Sequence, residues 1–194
     1  MRSLMLLALV GCGGSGSTGG VDAPAGLDSG ADVIGVVDVA GGFALTSPML
    51  AAGAAFDPAN TCTGVDTSPQ LDWTGAPTGA LSFAVVLTDK SNNLTHWVIY
   101  DIPMAATGLP ANVEKVFAPT NVPGAHQTTS FQATVRGYLG PCPPVQHTYE
   151  FAVFAINAAT LPGATMQTTR AQAVAAITAN NVGSTTLTGT YAQP

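Results

Sequence analysis

The sequence predicts a mainly β fold, a β-sandwich with a peripheral helix, and three observations carry that prediction. Short apolar runs rich in Val, Ile and aromatic residues recur along the chain. Its 22 Gly and 14 Pro punctuate those runs as turns. A helix start signal stands in a single stretch, late in the chain. Many short strands with Gly/Pro turns and one helix argue packed sheets rather than alternating β and α units.

The elements follow in order. Phe43 to Ser47 reads as a short first strand, and Leu71 to Trp73 as another behind the Ser68-Pro69 turn. Leu81 to Asp89 and His96 to Ile102 are the strongest strand segments, joined by the turn cluster Ser91-Asn92-Asn93, which suits a hairpin. Their unbroken apolar runs mark central strands buried on both faces. Phe131 to Val135 and Tyr149 to Ile156 follow as strands. Thr168 or Thr169 is placed to N-cap a helix from Arg170 to about Ala179, with Val174 and Ile177 as its apolar contacts. Thr185 to Tyr191 is the last strand.

The first 41 residues read differently. Met1-Arg2 is a positive start, Leu4 to Val10 a short apolar run, and Leu9-Val10-Gly11-Cys12 resembles a bacterial lipobox. The run is far shorter than the ~20 residues that span a bilayer, so residues 1–11 are expected to be a lipoprotein signal peptide. Cys12 is then the lipidated residue, and its acyl chains are the expected membrane attachment. Residues 12–41 continue as a flexible Gly/Ser/Asp linker by composition, within which Val33 to Val39 has some strand character. The folded domain is expected over residues 42–194, displayed in the cell envelope on the periplasmic or exterior side.

Charge excludes some partners. Five basic residues stand against eleven acidic ones, a net −6, with no Lys/Arg cluster. Nucleic acid needs a basic stripe and is rejected, and capture by an anionic membrane surface is disfavoured for the same reason. With Cys12 assigned, Cys62 and Cys142 remain as an even pair in an oxidising compartment. A bridge between them closes about 80 residues, on the order of 4 kcal/mol in the chain-entropy treatment. Two buried free thiols are the alternative.

The stretch that points to function is Gly140-Pro141-Cys142-Pro143-Pro144-Val145-Gln146-His147-Thr148-Tyr149. Glycines and prolines so dense cannot be helix, and the prolines lack ladder donors, so this is a rigid loop. His147 and Tyr149, two apart on a strand start, point to one face. Asp89 closes one strand and His96 opens the next, so strand ends bring an Asp, two His and a Tyr to one mouth. A buried Asp89 needs partners, although a turn-starting Asp is equally ordinary. An Asp89–His96 hydrogen bond would set that imidazole's tautomer and favour its charged form. His96 at a strand start is otherwise an interface residue. An imidazole N–H and a phenol O–H pointing one way suit phosphate or carboxylate oxygens.

The ordered motifs also carry a resemblance. Ser68-Pro69-Gln70-Leu71-Asp72-Trp73, Gly75-Ala76-Pro77, Ser82-Phe83-Ala84, Asp89, His96-Trp97-Val98 and Asp101-Ile102-Pro103 come in sequence. Gly137 to Pro144, His147-Thr148-Tyr149 and Leu187-Thr188-Gly189-Thr190-Tyr191 complete the set. Together they resemble the phosphatidylethanolamine-binding protein family, in its bacterial Raf-kinase-inhibitor-like branch, over roughly residues 42–191. The resemblance implies an antiparallel β-sandwich with one or two peripheral short helices. It also implies a ligand pocket from Asp89, His96, Gly140, Pro141, Pro143, Pro144, His147 and Tyr149, taking phosphate, carboxylate or a phospholipid headgroup, with no metal and no cofactor.

Two departures from the family pattern stand out. The usual Asp-Pro-Asp-Ala-Pro is Asp89-Lys90-Ser91-Asn92-Asn93, and the basic residue usual between the last His and Tyr is Thr148. Lys90 is expected to supply the positive charge that Thr148 does not. His126, outside every motif, reads as a solvated loop histidine, while Lys115, Arg136 and Glu150 read as surface or rim charges. The leading reading is a non-catalytic, lipid-anchored binding protein. An inhibitor or interaction module for a protease or other envelope protein is the alternative. A metal-dependent hydrolase using Asp89, His96 and His147 ranks lower, since no local spacing pairs those ligands and no Gly-x-Ser-x-Gly elbow is present.

Overall fold

The computed structural model describes residues 42–194. The expected signal peptide, Cys12, the expected linker and the Val33–Val39 segment lie outside the described residues.

Among the described residues, eight strands and one α-helix form in this order: β1 Ala44–Thr46, β2 Leu71–Thr74, β3 Ser82–Asp89, β4 Leu94–Pro103, β5 Gly108–Leu109, β6 His126–Gln127, β7 His147–Ile156, α1 Arg170–Ala179 and β8 Asn181–Tyr191. The strands pair antiparallel into two sheets, β1-β2-β5 and β6-β4-β3-β7-β8. A 3₁₀ turn, Pro58–Asn60, precedes β2, with Asp57 as its cap.

The long apolar runs have the cause the sequence suggested. Side chains alternate across a strand, so Phe83, Val85 and Leu87 face the small sheet with Leu45, Leu71 and Trp73, while Ala84 and Val86 face the other way. On that second side, Val98, Tyr100, Leu161, Ala173 and Ile177 form a separate core beneath α1. The large sheet is therefore buried on both faces.

Helix α1 starts where its cap predicts. Thr169 accepts from the Gln172 amide and Gln172 reaches back to the Thr169 backbone, a reciprocal capping box. Ile177 is buried and Val174 half-buried as expected, joined by Ala173.

Two expectations fail. Residues 131–135 form no strand. The Ser130 amide donates to the Val135 carbonyl at 2.8 Å and the Ala133 amide to the Ser130 carbonyl at 2.9 Å, closing a tight loop. Ala133 takes φ +56, which interrupts extended backbone there. His126 is not a loop residue: it lies in β6, paired with Tyr100 of β4, and its Nδ1 stands 2.9 Å from the Asp101 carboxylate. Two-residue strands leave no periodicity to read, so β5 and β6 escape sequence analysis.

Candidate functional site

At one end of the large sheet, β3 ends at Asp89, β4 begins at Leu94 and β7 begins at His147. Register aligns Asp89 with Leu94 on one side and with Tyr149 on the other. These ends open into a pocket of about 280 Å³. Asp89, His96, His147 and Tyr149 line it together with Pro143, Pro144 and Cys142. Asn92, Leu94, Phe131 and Gln132 complete the wall.

Asp89 is 2% exposed, and a carboxylate there requires partners. It has two: the Ser91 amide donates to Oδ1 at 2.9 Å, and His147 Nδ1 lies 2.6 Å from Oδ2. The expected Asp89–His96 hydrogen bond is therefore corrected. His96 instead donates from Nδ1 to the Leu139 carbonyl at 3.0 Å, because β4 places its ring beneath the proline loop. Phe131 packs on it at 4.3 Å between centroids, and Tyr149 meets it edge-on at 5.3 Å.

Burial governs the electrostatics. Desolvation lowers the His96 pKa despite the opposing Leu139 carbonyl and the Asp89 charge, so the expectation of a favoured charged form is reversed. Burial first, then the neighbouring Asp89 carboxylate, pushes the Tyr149 phenol well up, keeping it a neutral donor.

Gly140 and Pro141, expected in the pocket, stand behind its wall. The Gly140 amide donates to Asp66 Oδ1 at 2.7 Å, and the other Asp66 oxygen takes Lys115 Nζ at 2.9 Å. A Cβ at Gly140 would run into the Asn60 carbonyl, so only glycine permits this approach. The Pro141 carbonyl accepts from the Cys62 amide at 3.1 Å, and the Pro143 carbonyl from the Gln193 amide at 2.9 Å. Cys62 and Cys142 are disulfide-bonded, which resolves the two alternatives for that pair. These two residues thus hold the loop that presents Pro143 and Pro144.

Lys90 does not supply a rim cation. Its Nζ pairs with Glu150 Oε1 at 3.0 Å across the β3–β7 end, and it is absent from the pocket lining. Lys90 follows the last residue of β3, and its amide donates to the Thr148 carbonyl at 2.8 Å, which sets it beside β7 and Glu150. Phe131 and Gln132 were missed by sequence reading. A loop that folds back onto His96 carries no local signal of doing so. Among the described residues, no group of three or more His, Cys, Asp or Glu side chains is arranged to hold a metal ion.

The profile of the family described as phosphatidylethanolamine-binding protein matches residues 46–192. A UPF0098 protein of Aquifex aeolicus is 39% identical over 113 residues, covering 54% of this chain and 64% of that protein. The UPF0098 protein YbcL of Escherichia coli is 33% identical over 108 residues, 52% of this chain and 58% of its own length. Each match thus spans less than two thirds of the relative's length. The crystal structure of Escherichia coli YbcL, described as a member of the mammalian PEBP family, superposes with a TM-score of 0.71. It is 28% identical and covers 78% of this chain and 99% of that one. Sheet order, strand-end pocket and a match across nearly all of the described residues agree: this chain belongs to the phosphatidylethanolamine-binding protein family.

Proposed function

We propose that this is an extracytoplasmic, lipid-anchored binding protein whose pocket takes a small oxyanion, such as phosphate, a carboxylate or a phospholipid headgroup, without turning it over. The observation that carries this reading is the convergence of His96, His147 and Tyr149 on one pocket walled by Pro143, Pro144 and Phe131. A phenol, and an imidazole once it is protonated, are donors to oxygen, and the apolar walls strengthen each hydrogen bond by excluding water. The lipobox-like Leu9-Val10-Gly11-Cys12 supports the anchor.

The test follows the imidazole NMR signals of the three histidines while inorganic phosphate, then phosphoethanolamine, is titrated. Saturable shifts of two histidines, lost in His147→Ala and Asp89→Ala, support the reading. No shift at millimolar ligand sinks it.

A second reading, an interaction module for an envelope protein, draws on two exposed valines. Val65 and Val145 are 73% and 64% exposed, each three residues beyond a cysteine of the bridge. Partner binding lost in Val145→Asp with phosphate binding intact would favour it.

A further inference from the structure

Both pocket imidazoles give up Nδ1 to the protein. A carbonyl only accepts, so the Leu139 contact fixes a proton on His96 Nδ1. The Asp89 carboxylate does the same for His147 Nδ1. His96 is only 3% exposed, yet its Nε2 has no partner in the protein and is not among the enclosed polar atoms. Nε2 is therefore the part of this residue that remains open, at the pocket wall. In neutral His96 that atom carries a lone pair. A fully deprotonated oxyanion entering the pocket meets this lone pair in front and the buried Asp89 carboxylate behind.

We propose that the pocket takes its oxyanion together with a proton, which His96 Nε2 binds as the anion arrives. The proposal rests on the oxyanion reading of the site. One N–H bond forms at Nε2, the proton comes from solvent, and no bond in the anion breaks. The groups facing His96 are few. Asp89 on β3 and the Gly140 backbone favour its cation, and Arg170 at the start of α1 opposes it. His147 and Tyr149 come from β7, Phe131 from the loop before it, and the Leu139 carbonyl accepts from below. Desolvation outweighs the favourable groups, which favours the neutral form of His96. An anion against Nε2 supplies the missing countercharge. His96 is then a specificity residue: it favours oxyanions that bring or recruit a proton, and it makes affinity fall as pH rises.

The test is calorimetry on the purified full-length chain with sodium sulfate, which carries no proton near neutrality, in two buffers of different ionisation enthalpy. Proton uptake of up to about one per sulfate is expected, with affinity falling by up to about tenfold per pH unit as pH rises above 6.5. His96→Gln places an amide donor near the Nε2 position and is expected to bind sulfate with a flatter pH profile and less proton uptake. A second readout needs no variant: sulfate should raise the apparent pKa of the His96 imidazole by NMR. Binding that is pH-independent and buffer-independent, or full proton uptake retained in His96→Gln, overturns the proposal and leaves the oxyanion reading intact. No binding of sulfate or phosphate at any pH overturns both. Inorganic phosphate and phosphoethanolamine run side by side separate a free anion from a headgroup, and pH-coupled binding of either supports the proposal.

Discussion

Asp89 and His147 form the carboxylate–imidazole pair of the pocket, Oδ2 to Nδ1 at 2.6 Å, although 58 positions separate them in the chain. The β3–β7 register sets this distance by aligning Asp89 with Tyr149, two residues beyond His147 on the same strand face. Asp89→Ala removes the acceptor of both His147 and the Ser91 amide. We expect a loss of about 1–3 kcal/mol in urea unfolding, and phosphate binding weakened about tenfold or more by calorimetry.

Lys90→Ala should leave phosphate affinity within about twofold, since its ammonium pairs with Glu150 outside the pocket. The stability change should stay below about 1 kcal/mol, as for other exposed pairs. A large loss of anion affinity would show that Lys90 reaches the ligand.

Cys142→Ser opens the bridge to Cys62 and frees the chain around Pro143 and Pro144. The expected cost is about 2–4 kcal/mol, read as a lower denaturant midpoint, and a reductant should have the same effect on the wild type. Phosphate affinity should fall as well, because Cys142 and the two prolines form one wall.

Gly140→Ala forces a methyl group against the Asn60 carbonyl and Asp66 Oδ1. Overpacking against backbone costs about 1–3 kcal/mol, so thermal unfolding should occur several degrees lower. Affinity should drop less than in Asp89→Ala, since Gly140 stands behind the wall rather than in it.

Stability should depend on pH through His96. Burial lowers its folded pKa below the unfolded value of 6.5, so below that pH the unfolded chain binds more protons than the folded one. Stability therefore falls as pH drops from about 6.5 toward the lowered pKa, and the slope levels beneath it. In His96→Gln this part of the acid sensitivity should disappear from denaturant midpoints measured between pH 7 and 5.

Much of this molecule was determined by sequence. Thr169 and Gln172 cap α1 within four residues of each other, and the runs through β3 and β4 are apolar because both sheet faces are covered. Those signals are local: alternation, capping and turn chemistry act between near neighbours, so neighbouring letters record them. His147 and Tyr149 share a face for the same reason. The tertiary structure alone decided which histidine Asp89 holds, that Phe131 folds back onto His96, and that Gly140 and Pro141 support the wall instead of forming it. It also turned Lys90 to Glu150 and gave His126 to Asp101. These are choices between chemically equivalent partners. Strand register and the burial of each ring settle them, and both are properties of the packed sheets rather than of any stretch of chain.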